Sequence, residues 1–210
     1  MGTRFTEDDF GITHLASMFH QDWRLSGSAR DVVMGYVAQT SLPYVLALAE
    51  DALRLTASDD ADTVATLWEC ATGSYHRLYG DSVAGLDWFR EVAGICEGSL
   101  TQAGVHANIK VGQSVYDSLK GRVIAEIDEL EPALSEAIAN SPMAGNAGAV
   151  SAMKVCAADI CPEIAFRVLL RALMEYSCEI DRNLYARFVK LGQEFSYGEF
   201  VVSRISFLMR

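Results

Sequence analysis

Apolar residues recur along this 210-residue chain at steps of three and four, the spacing that lines one face of an α-helix. The longest such stripe is Val115, Leu119, Val123, Ile127, Leu130, Leu134 and Ile138, which predicts an amphipathic helix from Ser114 that Pro132 kinks or splits. A second stripe lies in PEIAFRVLLRALMEY. Ile164, Val168, Leu169, Leu173 and Tyr176 form its inner face, and Glu163, Arg167, Arg171 and Glu175 recur every four residues on its outer face. SLPYVLALAEDALRL places Leu42, Val45, Leu46, Ala49 and Leu53 together, with Pro43 near the first helical position.

Boundary signals agree with this pattern. Ser28 opens SARD, a capping-box variant with Asp31, ahead of DVVMGYVAQT. Ser58, Asp59 and Asp60 break the chain before DTVATLWECATG, which Gly73 closes. LDWFREVAGICEG is expected to end at Gly98, and Asp181 to cap RNLYARFVKLGQEF. HLASMFHQDW (14–23) is a short helix or turn. AIANSPMAGNAGAVSAM (137–153) reads as a loop. HANIKV is a candidate strand, and the tail EFVVSRISFLMR suits strand or helix. The expected fold is therefore all-α or mainly α, a helical bundle with room for a few short strands in the C-terminal half. The weak pattern of residues 99–113 marks a linker between domains 1–98 and 114–210; one integrated domain is the alternative.

Composition adds to this picture. Half the residues are hydrophobic, enough for a packed core. No stretch has the length and apolarity of a membrane span. MGTRFTEDDF lacks the apolar segment of a secretory signal, although MGTRFT fits the loose myristoylation pattern. Five cysteines, an odd number without a CxxC pair, suit buried thiols in a reducing compartment. The net charge of −11 is unevenly spread: residues 1–100 hold 15 Asp and Glu against 6 Lys and Arg (−9), and residues 101–210 hold 13 against 11 (−2). Such an acidic half argues against direct nucleic-acid binding. It suits either a solvated surface or an attraction for a basic protein partner.

Catalytic chemistry finds no motif. His20 and Asp22 diverge on a helix, no HExxH follows, and no third ligand completes a metal set with His14. There is no GxSxG elbow, phosphate loop or dinucleotide fingerprint. Neither cofactor nor metal is expected, and the chain is expected to bind rather than transform. Phe19 and Trp23, four apart, would share one buried helix face, with His20 half-buried beside them. Trp68, Trp88 and Phe89 read as core. The candidate partner-binding residues are Glu7, Asp8 and Asp9, the cluster Asp59, Asp60 and Asp62, and the loop residues Tyr75, His76, Arg77 and Tyr79.

FHQDWRLSG, then SARDVVMGY, then GSYHRLYGDSVAGLDWFREV resembles the CdiI-type immunity proteins of contact-dependent growth inhibition systems, over about residues 10–97. The specific part is Phe19, His20, Gln21, Asp22 and Trp23, a structural signature at the corner before the SARD helix. In place of the family's tyrosine-rich Gly-Cys-Tyr-Tyr-like segment the chain has GSYHRLY. The resemblance implies a non-enzymatic bacterial cytoplasmic protein that neutralises a cognate toxin domain, the C-terminal region of a CdiA-like exported protein. That toxin is expected to be a nuclease, and neither nucleic acid nor membrane is expected as a direct partner. An all-α adaptor or regulatory module with another protein partner is the alternative.

Overall fold

A computed structural model describes residues 7–78, 84–105, 114–142 and 147–210. Ten α-helices lie among them: α1 (Gly11–Ser17), α2 (Ala29–Gln39), α3 (Leu42–Thr56), α4 (Ala61–Ala71), α5 (Ala84–Gln102), α6 (Lys120–Ala139), α7 (Ala149–Val155), α8 (Pro162–Glu175), α9 (Arg182–Glu194) and α10 (Glu199–Ser203). The fold is all-α. No strand occurs among the described residues, only an isolated bridge between Ile180 and Met209. The tail forms α10 and a 3-10 turn, Ser206–Leu208. The candidate strand HANIKV lies outside the described residues.

Local chemistry accounts for several helix starts. The Ser28 and Asp31 side chains each accept from the other's backbone N–H, closing the capping box of α2. Asp60 and Asp181 cap α4 and α9 by accepting from the N–H groups of Thr63 and Leu184. Pro43 and Pro162 occupy the first turns of α3 and α8, where a missing N–H costs nothing.

Other expectations are corrected. α5 runs through Gly98 to Gln102, so residues 99–102 are helix, not linker. Gly98 is exposed and has nothing within 4 Å of its Cβ direction, and no left-handed cap forms there. α6 begins at Lys120, and Val115 is 86% exposed. Pro132 sits inside a continuous α6. The carbonyl that Pro132 deprives of its helical partner belongs to Asp128, an exposed residue. The expected loop 137–153 contains the start of α7. In α3 the buried stripe is Val45, Leu48, Ala49, Ala52 and Leu55, and Leu42 is exposed.

The largest correction is α8. Every residue from Pro162 to Leu173 is buried, including Glu163, Arg167 and Arg171 of the supposed outer face. α8 packs on α4, α6, α7 and α1, so neighbours cover it all round. Side chains from both sides of residues 99–113 enter one hydrophobic cluster. Leu67 and Trp68 of α4 belong to it together with Ile164 and Phe166 of α8, and with Phe188 and Phe195.

Candidate functional site

Burying Arg167, which is 0% exposed, requires partners for its charge and its N–H groups. Nη2 donates to both carboxylate oxygens of Asp51 on α3 at 2.8 Å. Nη1 donates to the Phe10 carbonyl at 2.7 Å, and the guanidinium lies over the Phe10 ring at 4.1 Å. Burial opposes its charge, but the Asp51 carboxylate outweighs that and holds the group more firmly protonated than usual. The Ile12 N–H donates to Asp51 at 3.0 Å. Beside this pair, Asp9 accepts from the Thr13 hydroxyl at 2.7 Å and pairs with Arg204 at 2.5 Å. Burial pushes the Asp9 carboxyl up; Arg204, then Arg167, more than reverse this and leave it below the usual range. Asp9 is therefore buried structure, not the exposed partner-binding residue the sequence suggested. Glu7 and Asp8 are exposed.

The FHQDW run is a turn between α1 and a 3-10 turn, Trp23–Ser26, rather than a helix. Phe19 and Trp23 point inward with ring centroids 5.2 Å apart. His20, Gln21 and Asp22 are exposed, correcting the half-buried reading of His20. The Asp22 N–H donates to His20 Nδ1 at 3.3 Å, and Gln21 Nε2 donates to the Asp22 carboxylate at 3.4 Å. The aromatic core then recruits the GSYHRLY loop. His76 stacks on Phe19 at 4.6 Å and meets Trp23 and Trp88 edge-on. Its Nδ1 accepts from Trp68 Nε1 at 2.9 Å. Burial, with Arg24 adding to it, lowers the His76 pKa to about 4, so the ring is neutral and the acceptor role of Nδ1 is secure. His76 thus fills an aromatic cage instead of presenting a free contact surface. Trp23 Nε1 donates to the Tyr75 carbonyl, and Arg77 Nε to the Ser74 carbonyl. Tyr75 and Arg77 are half-buried; Tyr79 lies outside the described residues.

The remaining predicted residues converge. Asp59, Asp60 and Asp62 are exposed where α3 gives way to α4, and they rim a groove of about 630 Å³. A fourth carboxylate, Asp159, reaches the same groove from a π-helical turn, Cys156–Ile160, that links α7 to α8. Leu86, Val155 and Ile160, each half-buried, supply apolar wall. The π turn closes with the Cys161 N–H donating to the Cys156 carbonyl at 2.7 Å. It tucks Cys156 and Ala157 into the core and leaves Asp159 exposed. Hydrogen bonds from Thr63 hold the Asp60 carboxyl below its ordinary range, so it stays ionised. Asp59, Asp62 and Asp159 have no ion-pair partner among the described residues. The nearest lysine in sequence, Lys154, is held by Asp128 and Glu131.

Asp159 and the apolar wall were missed from sequence because they come from three separate segments. A partial signal was Pro162, which drives Cys161 out of the helical region (φ −166°, ψ 116°) and marks a break beside Asp159. Among the described residues no group of three or more His, Cys, Asp and Glu is arranged to hold a metal ion, and no helix is long and apolar enough to cross a membrane. Fold and groove together define a class: an all-α protein with a buried charge network and an acidic, apolar-walled surface groove. Comparison of the chain with protein families, curated proteins and solved structures finds no match.

Proposed function

We propose that this chain is an immunity protein that binds a cognate toxin of contact-dependent growth inhibition in the bacterial cytoplasm, without catalysing a reaction. The carrying observation is the groove, where four carboxylates meet an apolar wall and none of them has an ion-pair partner among the described residues. A nuclease presents a basic cleft to phosphate, and a surface of net charge −11 offers that cleft a competing anion. The FHQDW resemblance points to the same activity, with its aromatic residues supporting the fold and its polar ones facing solvent.

The test is co-expression with the C-terminal domain of the large exported protein whose reading frame adjoins this one. Protection of the host from that domain, together with co-purification of the two chains, is the expected result. Growth arrest that persists at equal expression, with the two chains eluting separately, overturns the reading.

A further inference from the structure

We propose that a second groove, between the N-terminal segment, α1, the start of α3 and α10, binds a small molecule: a flat, uncharged aromatic ring bearing a carboxamide. The groove measures about 550 Å³, and Asp9, His14, Ser41, Tyr44, Phe200 and Arg204 line it, a size ordinary for small-molecule sites. Separate stretches of chain build it, and the Phe200 N–H ties two of them together by donating to the Glu7 carbonyl at 2.8 Å.

Unpaired polar atoms at its wall set the chemistry of the ligand. Asp9 is 6% exposed, and its Oδ2 has no hydrogen-bond partner among the described residues. Arg204 Nη1 lies 2.5 Å from that oxygen as an ion pair but outside hydrogen-bond geometry, and Arg204 Nε and Nη2 lack partners as well. Buried polar atoms are nearly always paired, so three exceptions on two groove-lining residues require a reason. The C=O and NH2 of a carboxamide place one acceptor beside one donor, which completes an Arg204 N–H and the Asp9 oxygen together. Arg204 is the C-cap residue of the five-residue α10, and 17% of its side chain is exposed. Rotation of its guanidinium carries the unpaired edge into the groove and uncovers the Asp9 oxygen.

Charge selects against ions. The charges of Asp9 and Arg204 cancel within their pair, and burial lowers the His14 pKa, leaving that ring neutral above pH 7. Asp8, exposed on the same groove, repels an anion, and the Arg204 guanidinium opposes a second cation. Two further polar groups are available to a neutral ligand. The Tyr36 hydroxyl occupies His14 Nδ1 at 3.3 Å, which leaves Nε2, and the Ser41 side chain caps no N–H of α3. The rings of Tyr44, half-buried, and Phe200, 45% exposed, offer aromatic surface to a flat ligand.

The experiment titrates benzamide, benzoate and benzamidine, which share one shape and differ in charge, into the full-length nitrogen-15-labelled chain. Chemical-shift changes are followed by NMR at about pH 7.5 and at up to about 20 mM ligand, the range in which so small a molecule binds. Benzamide is expected to bind at least about fivefold more tightly than either ion. Arg204→Lys keeps a cation beside Asp9 and removes the planar N–H edge. This variant and Phe200→Ala, each verified as folded by circular dichroism, are each expected to weaken benzamide about fivefold or more. Should Arg204→Lys fail to fold, Phe200→Ala decides alone. Phe207→Ala, at a ring that is 68% exposed and away from the groove, is expected to leave binding unchanged. The site is overturned if benzamide shows no saturable binding, or if benzoate or benzamidine matches it. It is equally overturned if Phe200→Ala binds as the parent does, or if Phe207→Ala weakens binding as much. No toxin enters the measurement, so the site stands or falls apart from the immunity reading.

Discussion

Gly11 adopts φ +64°, and a Cβ there would lie 1.8 Å from an Asp51 carboxylate oxygen and 2.7 Å from Arg167 Nη1. The glycine is thus the opening through which the N-terminal backbone reaches the buried ion pair. Gly11→Ala is expected to cost more than about 3 kcal/mol in urea denaturation, since backbone strain adds to the clash. A variant within 1 kcal/mol of the parent, roughly the ordinary effect of a point substitution, would show that the pair shifts freely. For Arg167→Met alone a loss of about 3–5 kcal/mol is expected, because Asp51 is left charged and buried. Asp51→Leu combined with Arg167→Met should recover much of it. None of this was legible in the sequence. A glycine near the start and an aspartate in an apolar helix carry no sign that they meet. Phe19 and Trp23 were legible as core because bulk and apolarity are properties of the residue itself. The partner of His76 was not, since it depends on where the loop returns.

His76 also sets a pH dependence. The unfolded ring takes up a proton near 6.5, and the folded ring only near 4. The stability it contributes is present above pH 6.5, declines as pH falls through that window and is gone below about 4. After allowance for partial exposure the loss is on the order of 2 kcal/mol. Burial also lowers the pKa of His14, which acts in the same direction. The test is therefore the difference between parent and His76→Phe: the variant should show a shallower fall in denaturation free energy between pH 6.5 and 4. Equal slopes would remove His76 as the cause.

At the scale of elements, the starts of α2, α4 and α9 were readable because a cap is a contact over three residues. The orientation of α8 was not. Four-residue spacing says that Glu163, Arg167, Arg171 and Glu175 share a face, and it cannot say that other helices cover that face. Arg171 satisfies its Nε on the Ala71 carbonyl and pairs with Glu175, so the polar stripe of α8 is an internal seam. Pro132 is an interruption that α6 tolerates on its exposed side. Pro132→Ala is expected to stabilise the chain by about 1–3 kcal/mol, restoring a hydrogen bond without touching the core. Thermal denaturation checks this, and a lowered Tm would show that the proline holds a bend the packing needs.

At the scale of the molecule, the shared core implies one cooperative transition. All three tryptophans, Trp23, Trp68 and Trp88, precede residue 99, whereas far-UV circular dichroism reports helices on both sides of it. Urea curves from tryptophan fluorescence and from circular dichroism should superimpose; separated midpoints would restore the two-domain expectation. Sequence pattern suggested a boundary where periodicity faded, but contacts such as Asp51–Arg167 span 116 positions and leave no periodic trace.

The link between Asp9, Phe10, Arg167 and Arg204 also bears on how the protein is made. Asp9 and Phe10 leave the ribosome long before the arginines that hold them are translated. Until Arg204 emerges, Asp9 lacks its ion-pair partner, and until α8 emerges, Asp51 and the apolar face of α3 lack theirs. A stalled chain would carry an uncovered acidic group among exposed apolar helices, a state that chaperones and proteases recognise. The closed network therefore forms only after both α8 and Arg204 have been translated, and shortened chains that stop before Arg204 lack it.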